Sequence, residues 1–189
     1  GATVAEADTR VLCLLPFAAD FYRDAGANVE FIGHPLVDAI DGSGLPDSPA
    51  ARSAVGLAEA APILGLLPGS RTRELRALLP HMLDALEIVR ESVEGATGVI
   101  ALSGSASDVT VAEVTRLAEK RGATVVTGRT YEAIRASDAV LAASGTVTLE
   151  CAIVGTPMVI AYRLSSLTYA VVRRLVRVDH SGLPNLLVG

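Results

Sequence analysis

Tryptophan is absent from this chain, cysteine occurs twice and histidine three times in 189 residues. Cys13 and Cys151 each sit inside an apolar stretch with no neighbour at metal-ligand spacing. That excludes a disulfide-dense scaffold and a zinc ribbon, and both thiols are expected reduced in the core. His34, His81 and His180 are far apart and form no His-Glu-x-x-His pattern, so no metal is expected from them. Half of the residues are hydrophobic, yet no apolar run approaches the roughly 18 residues of a membrane span. No basic segment leads into an apolar stretch with a small-residue cleavage site, and a cytoplasmic location is expected. The start at Gly1 and the end at Gly189, directly after an apolar run, are expected of a piece of a longer protein.

Basic charge is also short. Sixteen Lys and Arg against 21 Asp and Glu leave a net charge of −5, which argues against a nucleic-acid binder needing a basic surface. An anionic ligand must be held locally.

What is present is an alternation. Short apolar runs at Val11–Leu15, Val29–Ile32, Ile63–Leu67, Val99–Leu102, Thr124–Val126, Ala139–Ala142 and Met158–Ala161 are separated by longer segments of helical period. This is the pattern of β-α-β units, and it predicts an α/β fold with a doubly wound parallel sheet covered on both faces. Leu75, Leu78, Met82, Leu86, Val89 and Val93 mark one buried helix face. Pro80 interrupts it, predicting a short helix and then a longer one starting near Pro80. Another helix is predicted over Asp108–Arg121, capped by Asp108. Asp41–Pro49, reading DGSGLPDSP, has linker chemistry. Residues 1–40 are therefore assigned to one domain, 41–49 to a linker and 50–189 to a second domain.

Two junctions carry the chemistry. Leu67-Pro68-Gly69-Ser70-Arg71 follows a strand and leads into a helix with Glu74 in its first turn. Backbone amides and the positive end of the helix dipole suit an anion there, Gly69 allows close approach, and Arg71 can fork onto phosphate oxygens. The same residues also make an ordinary strand-to-helix turn, since they match neither a Walker loop nor a dinucleotide fingerprint. Ala143-Ser144-Gly145-Thr146 is the second junction. Its hydroxyls can cap the helix and donate to a diphosphate, and Glu150, one turn in, can accept from two ribose hydroxyls. Thr146 as a plain cap and Glu150 as a surface charge is the simpler alternative. Two such junctions on one parallel sheet share its carboxyl edge, which favours a nucleotide site.

Leu167, Val171, Leu175 and Val178 line one side of a segment flanked by Arg173, Arg174 and Arg177. A basic amphipathic helix of this kind either rests on an anionic membrane or packs with a solvated edge. Ser103-Gly104-Ser105 lacks the spacing of a hydrolase elbow.

With these motifs in order, the chain resembles the lipid-A-disaccharide synthases over essentially its whole length. The resemblance rests on Leu15-Pro16-Phe17 with Phe21-Tyr22, on Phe31-Ile32-Gly33-His34-Pro35-Leu36 with Asp38, and on Leu67 to Arg71 with Glu74. It continues in Ala143 to Thr146 with Thr148-Leu149-Glu150, in Pro157-Met158-Val159 with Tyr162-Arg163, and in Leu183-Pro184-Asn185. The chain departs from the family at Ala18, where a Glu is usual.

The resemblance implies a GT-B glycosyltransferase of two Rossmann-like domains, this chain supplying the carboxyl-terminal domain and the last part of the amino-terminal one. It implies UDP-2,3-diacylglucosamine as donor, 2,3-diacylglucosamine 1-phosphate as acceptor, an inverted β-1,6 bond, and no metal or other cofactor. By matching motif, Arg71 and Asn185 would be catalytic, and Gly69, Ser70, Ser144, Gly145 and Thr146 would lie along the diphosphate. Glu150 would hold the ribose, and the Gly128-Arg129 loop would face the uracil. The general base would belong to the amino-terminal domain, so this chain alone is expected to bind UDP weakly or not at all and not to turn over. A peripheral position on the inner membrane and a homodimer are further expectations; a nucleic-acid partner is not. Other UDP-sugar enzymes of this architecture, such as the lipid II-forming glycosyltransferase or a UDP-N-acetylglucosamine 2-epimerase, share the nucleotide half. A non-catalytic nucleotide-sugar module is the alternative of another class.

Overall fold

The structure is a computed structural model that describes residues 10–58 and 61–162. A parallel pair, β1 (Arg10–Cys13) and β2 (Asn28–Phe31), is joined through α1 (Pro16–Asp24). Two short helices follow, α2 (Pro35–Asp41) and α3 (Ser48–Ala54). The rest alternates strictly as β3 (Ile63–Leu67), α4 (Thr72–Ser92), β4 (Thr97–Leu102), α5 (Asp108–Glu119), β5 (Ala123–Thr127), α6 (Thr130–Ala136), β6 (Ala139–Ala143), α7 (Thr146–Val154) and β7 (Met158–Ala161). All seven predicted strands are present, two of them with the predicted limits.

Strands β3 to β7 form one parallel sheet in the order β5-β4-β3-β6-β7. The chain starts in the middle, winds outward to β5, then returns past β3 to wind the other way. This is the Rossmann-like doubly wound arrangement. Its order reverses between β3 and β6, where the carboxyl ends of adjacent strands send their loops to opposite faces and leave a crevice.

Each face of the sheet has its own core. On one, Leu75, Leu79, Met82, Leu83 and Leu86 of α4 and Val114 and Ala118 of α5 close over Leu66, Ile100 and Leu102. On the other, Ala133 and Ile134 of α6 and Cys151 and Val154 of α7 close over Ile63, Leu67, Val99 and Val140. Strands buried on both faces read as continuous apolar runs, which is why they were visible in the sequence. Each fully buried Leu or Ile contributes about 1.5–3 kcal/mol by leaving water. Ile40 of α2 joins the second core, and α2 packs against α7.

Pro80 does not split its helix: α4 is one helix with the proline inside it. An interior proline removes one amide donor and crowds the carbonyl four residues back, at a cost of about 3 kcal/mol. Here it lies on the exposed side, where water can serve the freed carbonyl. The buried side runs unbroken from Leu75 to Leu86 and outweighs that cost. Val93 falls outside the stripe, 39% exposed beyond the last turn.

Two smaller expectations are also corrected. Ser107, not Asp108, caps α5, its hydroxyl accepting from the Thr110 amide, and the helix ends at Glu119 before Arg121. The irregular stretch between α2 and α3 is shorter than Asp41–Pro49, because the Asp47 carboxylate accepts from the Ala50 amide and starts α3 at Ser48. Both cysteines are free and buried, as expected.

The amino-terminal ends of β3 and β6 are held by one arginine. Arg52 of α3 donates from Nε to the Ala136 carbonyl at 3.1 Å, from one terminal nitrogen to the Ala61 carbonyl at 3.1 Å, and from the other to Asp138 Oδ1 at 2.8 Å. The second Asp138 oxygen accepts from the Ile63 amide at 2.8 Å. The two strands flanking the crevice are thus fastened at the edge opposite to it.

Around β1, β2 and α1 the apolar side chains are less covered. Phe21, Leu12, Ile32 and Phe31 are exposed by 65%, 55%, 51% and 50%. Among the described residues no helix is long and apolar enough to cross a membrane. The predicted amphipathic segment with Arg173, Arg174 and Arg177 lies outside the described residues, as does His180.

Candidate functional site

The loops after β3 and β6 are the two junctions singled out in the sequence, and they stand side by side at the point of strand reversal. They open onto one cleft of about 560 Å³. Gly69, Ser70 and Arg71 line it from one side and Ser144, Gly145 and Thr146 from the other. Glu150 and Gly128 line it too. Eight of the nine described candidate residues therefore share one cleft, Arg129 being the exception; Asn185 lies outside the described residues.

The backbone explains why small residues stand here. Gly69 has φ +95°, and a Cβ on it would come within 3.0 Å of Glu74 Oε2. Gly145 has φ 153° and ψ −161°, a region essentially reserved for glycine. Gly145 rather than a hydroxyl residue is the N-cap of α7, and Thr146 is its first helical residue, so the expected side-chain cap is absent. The same holds for α4, whose N-cap Arg71 makes no side-chain cap bond. By contrast α2, α3 and α5 are capped by His34, Asp47 and Ser107. The first-turn amides of α4 and α7, which start at the crevice, are thus left by side chains for an anion, with the positive ends of the two dipoles converging on it; α1 and α6 also start without a side-chain cap.

Arg71 is 81% exposed and pairs with Glu74 at 2.8 Å. A guanidinium so exposed can turn to a ligand at small cost, because the pair it leaves is a surface pair worth about 0–1 kcal/mol. Arg129 points elsewhere. Its guanidinium donates to the Ala54 carbonyl, and of the two residues assigned to the uracil only Gly128 lines the cleft.

Glu150 sits on α7 facing the cleft, and burial raises its carboxyl above the ordinary range. Burial and then the Glu150 charge push the Tyr131 hydroxyl up. The Cys151 thiol is pushed up to about 12, by burial and then by Glu150, which leaves it inert as a nucleophile. A carboxyl that binds its proton more tightly folded than unfolded adds stability as pH falls through its folded-state value. That contribution is lost as pH rises from the unfolded value through the folded one. Glu150→Gln is therefore expected to raise the thermal midpoint of the unliganded protein at pH 7 and to flatten its stability profile just above the ordinary carboxyl range. A midpoint that falls at pH 7 contradicts desolvation as the cause.

Sequence reasoning missed the third junction. Ser103 and Gly104 after β4, and Thr130 and Tyr131 at the start of α6, also line the cleft. In the sequence Ser103-Gly104-Ser105 reads only as a segment that lacks the spacing of a hydrolase elbow. The signal that finds it is position: every strand-to-helix junction of a parallel sheet lies on the same edge. Among the described residues no group of three or more His, Cys, Asp or Glu is placed to hold a metal ion.

Comparison with known proteins bears on what this cleft belongs to. The family model described as lipid-A-disaccharide synthetase matches residues 2–189. A lipid-A-disaccharide synthase of Trichlorobacter lovleyi is 42% identical over 176 residues, 93% of this chain and 45% of the relative. One of Pseudomonas entomophila is 44% identical over 179 residues, 94% of this chain and 46% of the relative. One of Geobacter sulfurreducens is 37% identical over 187 residues, 99% of this chain and 48% of the relative. The chain spans about half the length of these curated relatives. A match across nearly every residue, which takes in both junctions of the crevice, decides the family: the chain belongs to the lipid-A-disaccharide synthetases.

Proposed function

We propose that this chain is the nucleotide-sugar-binding part of a GT-B glycosyltransferase of lipid A biosynthesis. The observation that carries the reading is the convergence of two glycine-containing junctions, from β3 and β6, on one cleft at the strand reversal, with Glu150 in its wall. The donor is UDP-2,3-diacylglucosamine and the acceptor 2,3-diacylglucosamine 1-phosphate. The acceptor's 6-hydroxyl, its proton passing to the base that the resemblance assigns to the amino-terminal domain, attacks the donor's anomeric carbon, the bond to the diphosphate breaks with inversion, and UDP leaves as the β-1,6-linked disaccharide 1-phosphate forms. No metal is needed in this scheme, because fixed donors meet the charge on the departing diphosphate.

In that role the Gly69-Ser70 loop and the Ser144 to Thr146 turn hold the diphosphate between two helix N-termini, and Arg71 supplies the mobile cation. Glu150, ionised, accepts from the ribose hydroxyls, and Gly128 lets the uracil approach the backbone. Asn185 is the second active-site group, assigned by the resemblance. The protein works on the cytoplasmic side, at the inner-membrane surface where acylated substrates reside, and a homodimer fits the exposed apolar side chains of β1, β2 and α1.

Titration with UDP of the isotope-labelled chain, joined to the half its relatives also carry, followed by amide chemical shifts, detects even millimolar binding. Saturable shifts are expected at Gly69, Ser70, Gly128 and Ser144 to Thr146. Shifts confined to the other edge of the sheet, or none up to millimolar UDP, overturn the assignment.

A further inference from the structure

A second hollow, of about 180 Å³, adjoins the nucleotide cleft over the ends of β3 and β4, between the first turns of α4 and α5. The two share Gly69, Ser70 and Ser103 in their walls. The walls of the hollow carry the hydroxyls of Ser70, Thr72, Ser103, Ser105, Ser107 and Thr110, the last two bonded to each other at 3.0 Å. Leu75 and Leu102, 5% and 1% exposed, form an aliphatic floor. No charged side chain lines it among the described residues.

This chemistry selects a class of ligand. Hydroxyls that both donate and accept, without a compensating cation, suit a neutral polyol better than a phosphate. A floor of leucine methyls suits the C–H edge of a pyranose. Ser103 and Ser105 bond to each other at 2.9 Å, and a sugar hydroxyl or hydroxymethyl group can enter that bond without leaving an unpaired partner.

We propose that this hollow is the subsite for the donor's sugar ring and that it grips the edge bearing the 4- and 6-hydroxyls. The proposal rests on the nucleotide reading above. In a 2,3-diacylated glucosamine, positions 2 and 3 carry acyl chains and position 1 carries the diphosphate. The 4- and 6-hydroxyls are then the only free ones. A recess of this size takes a ring but not an acyl chain, so it orients the sugar with both chains leading outward. Ser70, shared with the diphosphate cleft, stands where the ring joins the β-phosphate. The hollow thus converts the substitution pattern of the donor into an orientation of its anomeric carbon.

The test uses the chain joined to the half its relatives also carry, with two probes, UDP and a short-acyl UDP-2,3-diacylglucosamine, observed by saturation-transfer NMR. The sugar protons at positions 4 and 6 are expected to receive more saturation than the acyl methyls. Ser105→Ala with Thr110→Val alters only side chains that line the hollow and not the cleft. Together they are expected to weaken the acylated donor about tenfold, the loss of two ordinary hydrogen bonds, while UDP binds as before. Equal donor affinity in the double variant overturns the sugar subsite and leaves the nucleotide site intact. Absence of UDP binding in the parent protein overturns the nucleotide reading, and the subsite falls with it.

Discussion

Arg52→Ala is expected to destabilise the fold by about 3 kcal/mol, near the upper range for hydrogen bonds made by a charged group. For a domain of this size that lowers the thermal midpoint by about 6–12 °C. The loss does not come mainly from the ion pair with Asp138, because the Asp138 side chain is 57% exposed and water replaces much of what the pair contributes. It comes from the carbonyls. Arg52 is 12% exposed and serves the carbonyls of Ala136 and Ala61, and an alanine leaves both without their charged donor in a space too covered for free hydration. Arg52→Lys is expected to recover less than half of the loss, since an ammonium cannot present three donors in one plane. Thermal or urea unfolding of the two variants checks this; a loss below about 1 kcal/mol in Arg52→Ala means the clamp is an ordinary surface contact. In folded Arg52→Ala the affinity for UDP is expected to be unchanged, because the clamp holds β3 and β6 at the edge away from the cleft.

The same position in the sheet explains what was legible in the sequence. β3, β4 and β6 are buried on both faces and the edge strands β5 and β7 are partly covered, so their composition is dictated by packing and shows as apolar runs at the right spacing. The junctions after β3 and β6 were legible because glycine is demanded there by a positive φ, at Gly69 and at Gly145, and not by the ligand alone. What was illegible depended on tertiary balance. Pro80 reads as a helix break, and only burial on the opposite side decides that the helix continues. Asp108 and Ser107 are both good caps by type, and only the chain's entry angle selects Ser107. Arg129 looks as available as Arg71 in sequence, yet it is drawn to the Ala54 carbonyl of α3, 75 residues away in the chain. The hydroxyl-lined hollow was hidden for a related reason. Its side chains come from two separate loops, Ser70–Thr72 and Ser103–Thr110, and serines near helix starts carry no distinguishing signal until the strands that precede them are known to be neighbours.

Arg71→Ala is expected to behave in the opposite way to Arg52→Ala, sparing the fold and disabling the chemistry. Its guanidinium is 81% exposed and its ion-pair partner among the described residues is Glu74, three residues on, so the cost to stability is expected to stay within about 0.5 kcal/mol. Under the proposed reaction, however, negative charge builds on the diphosphate as the anomeric bond breaks, and Arg71 is the cation beside the Gly69-Ser70 loop that can follow it. Removing one such donor typically lowers the rate about 10²- to 10³-fold. The measurement is transfer by a protein that joins this chain to the half its relatives also carry, with donor and acceptor varied separately. A fall in kcat with little change in KM for the acceptor is expected, since Arg71 serves the leaving group and not the nucleophile. Arg71→Lys separates charge from geometry: it keeps the positive charge but loses the fork that fits two phosphate oxygens, and it is expected to recover only part of the rate. If Arg71→Ala lowers the rate less than about tenfold, against the range for such a donor, the diphosphate is held by the helix N-termini of α4 and α7 alone. Arg71 is then a surface residue paired with Glu74.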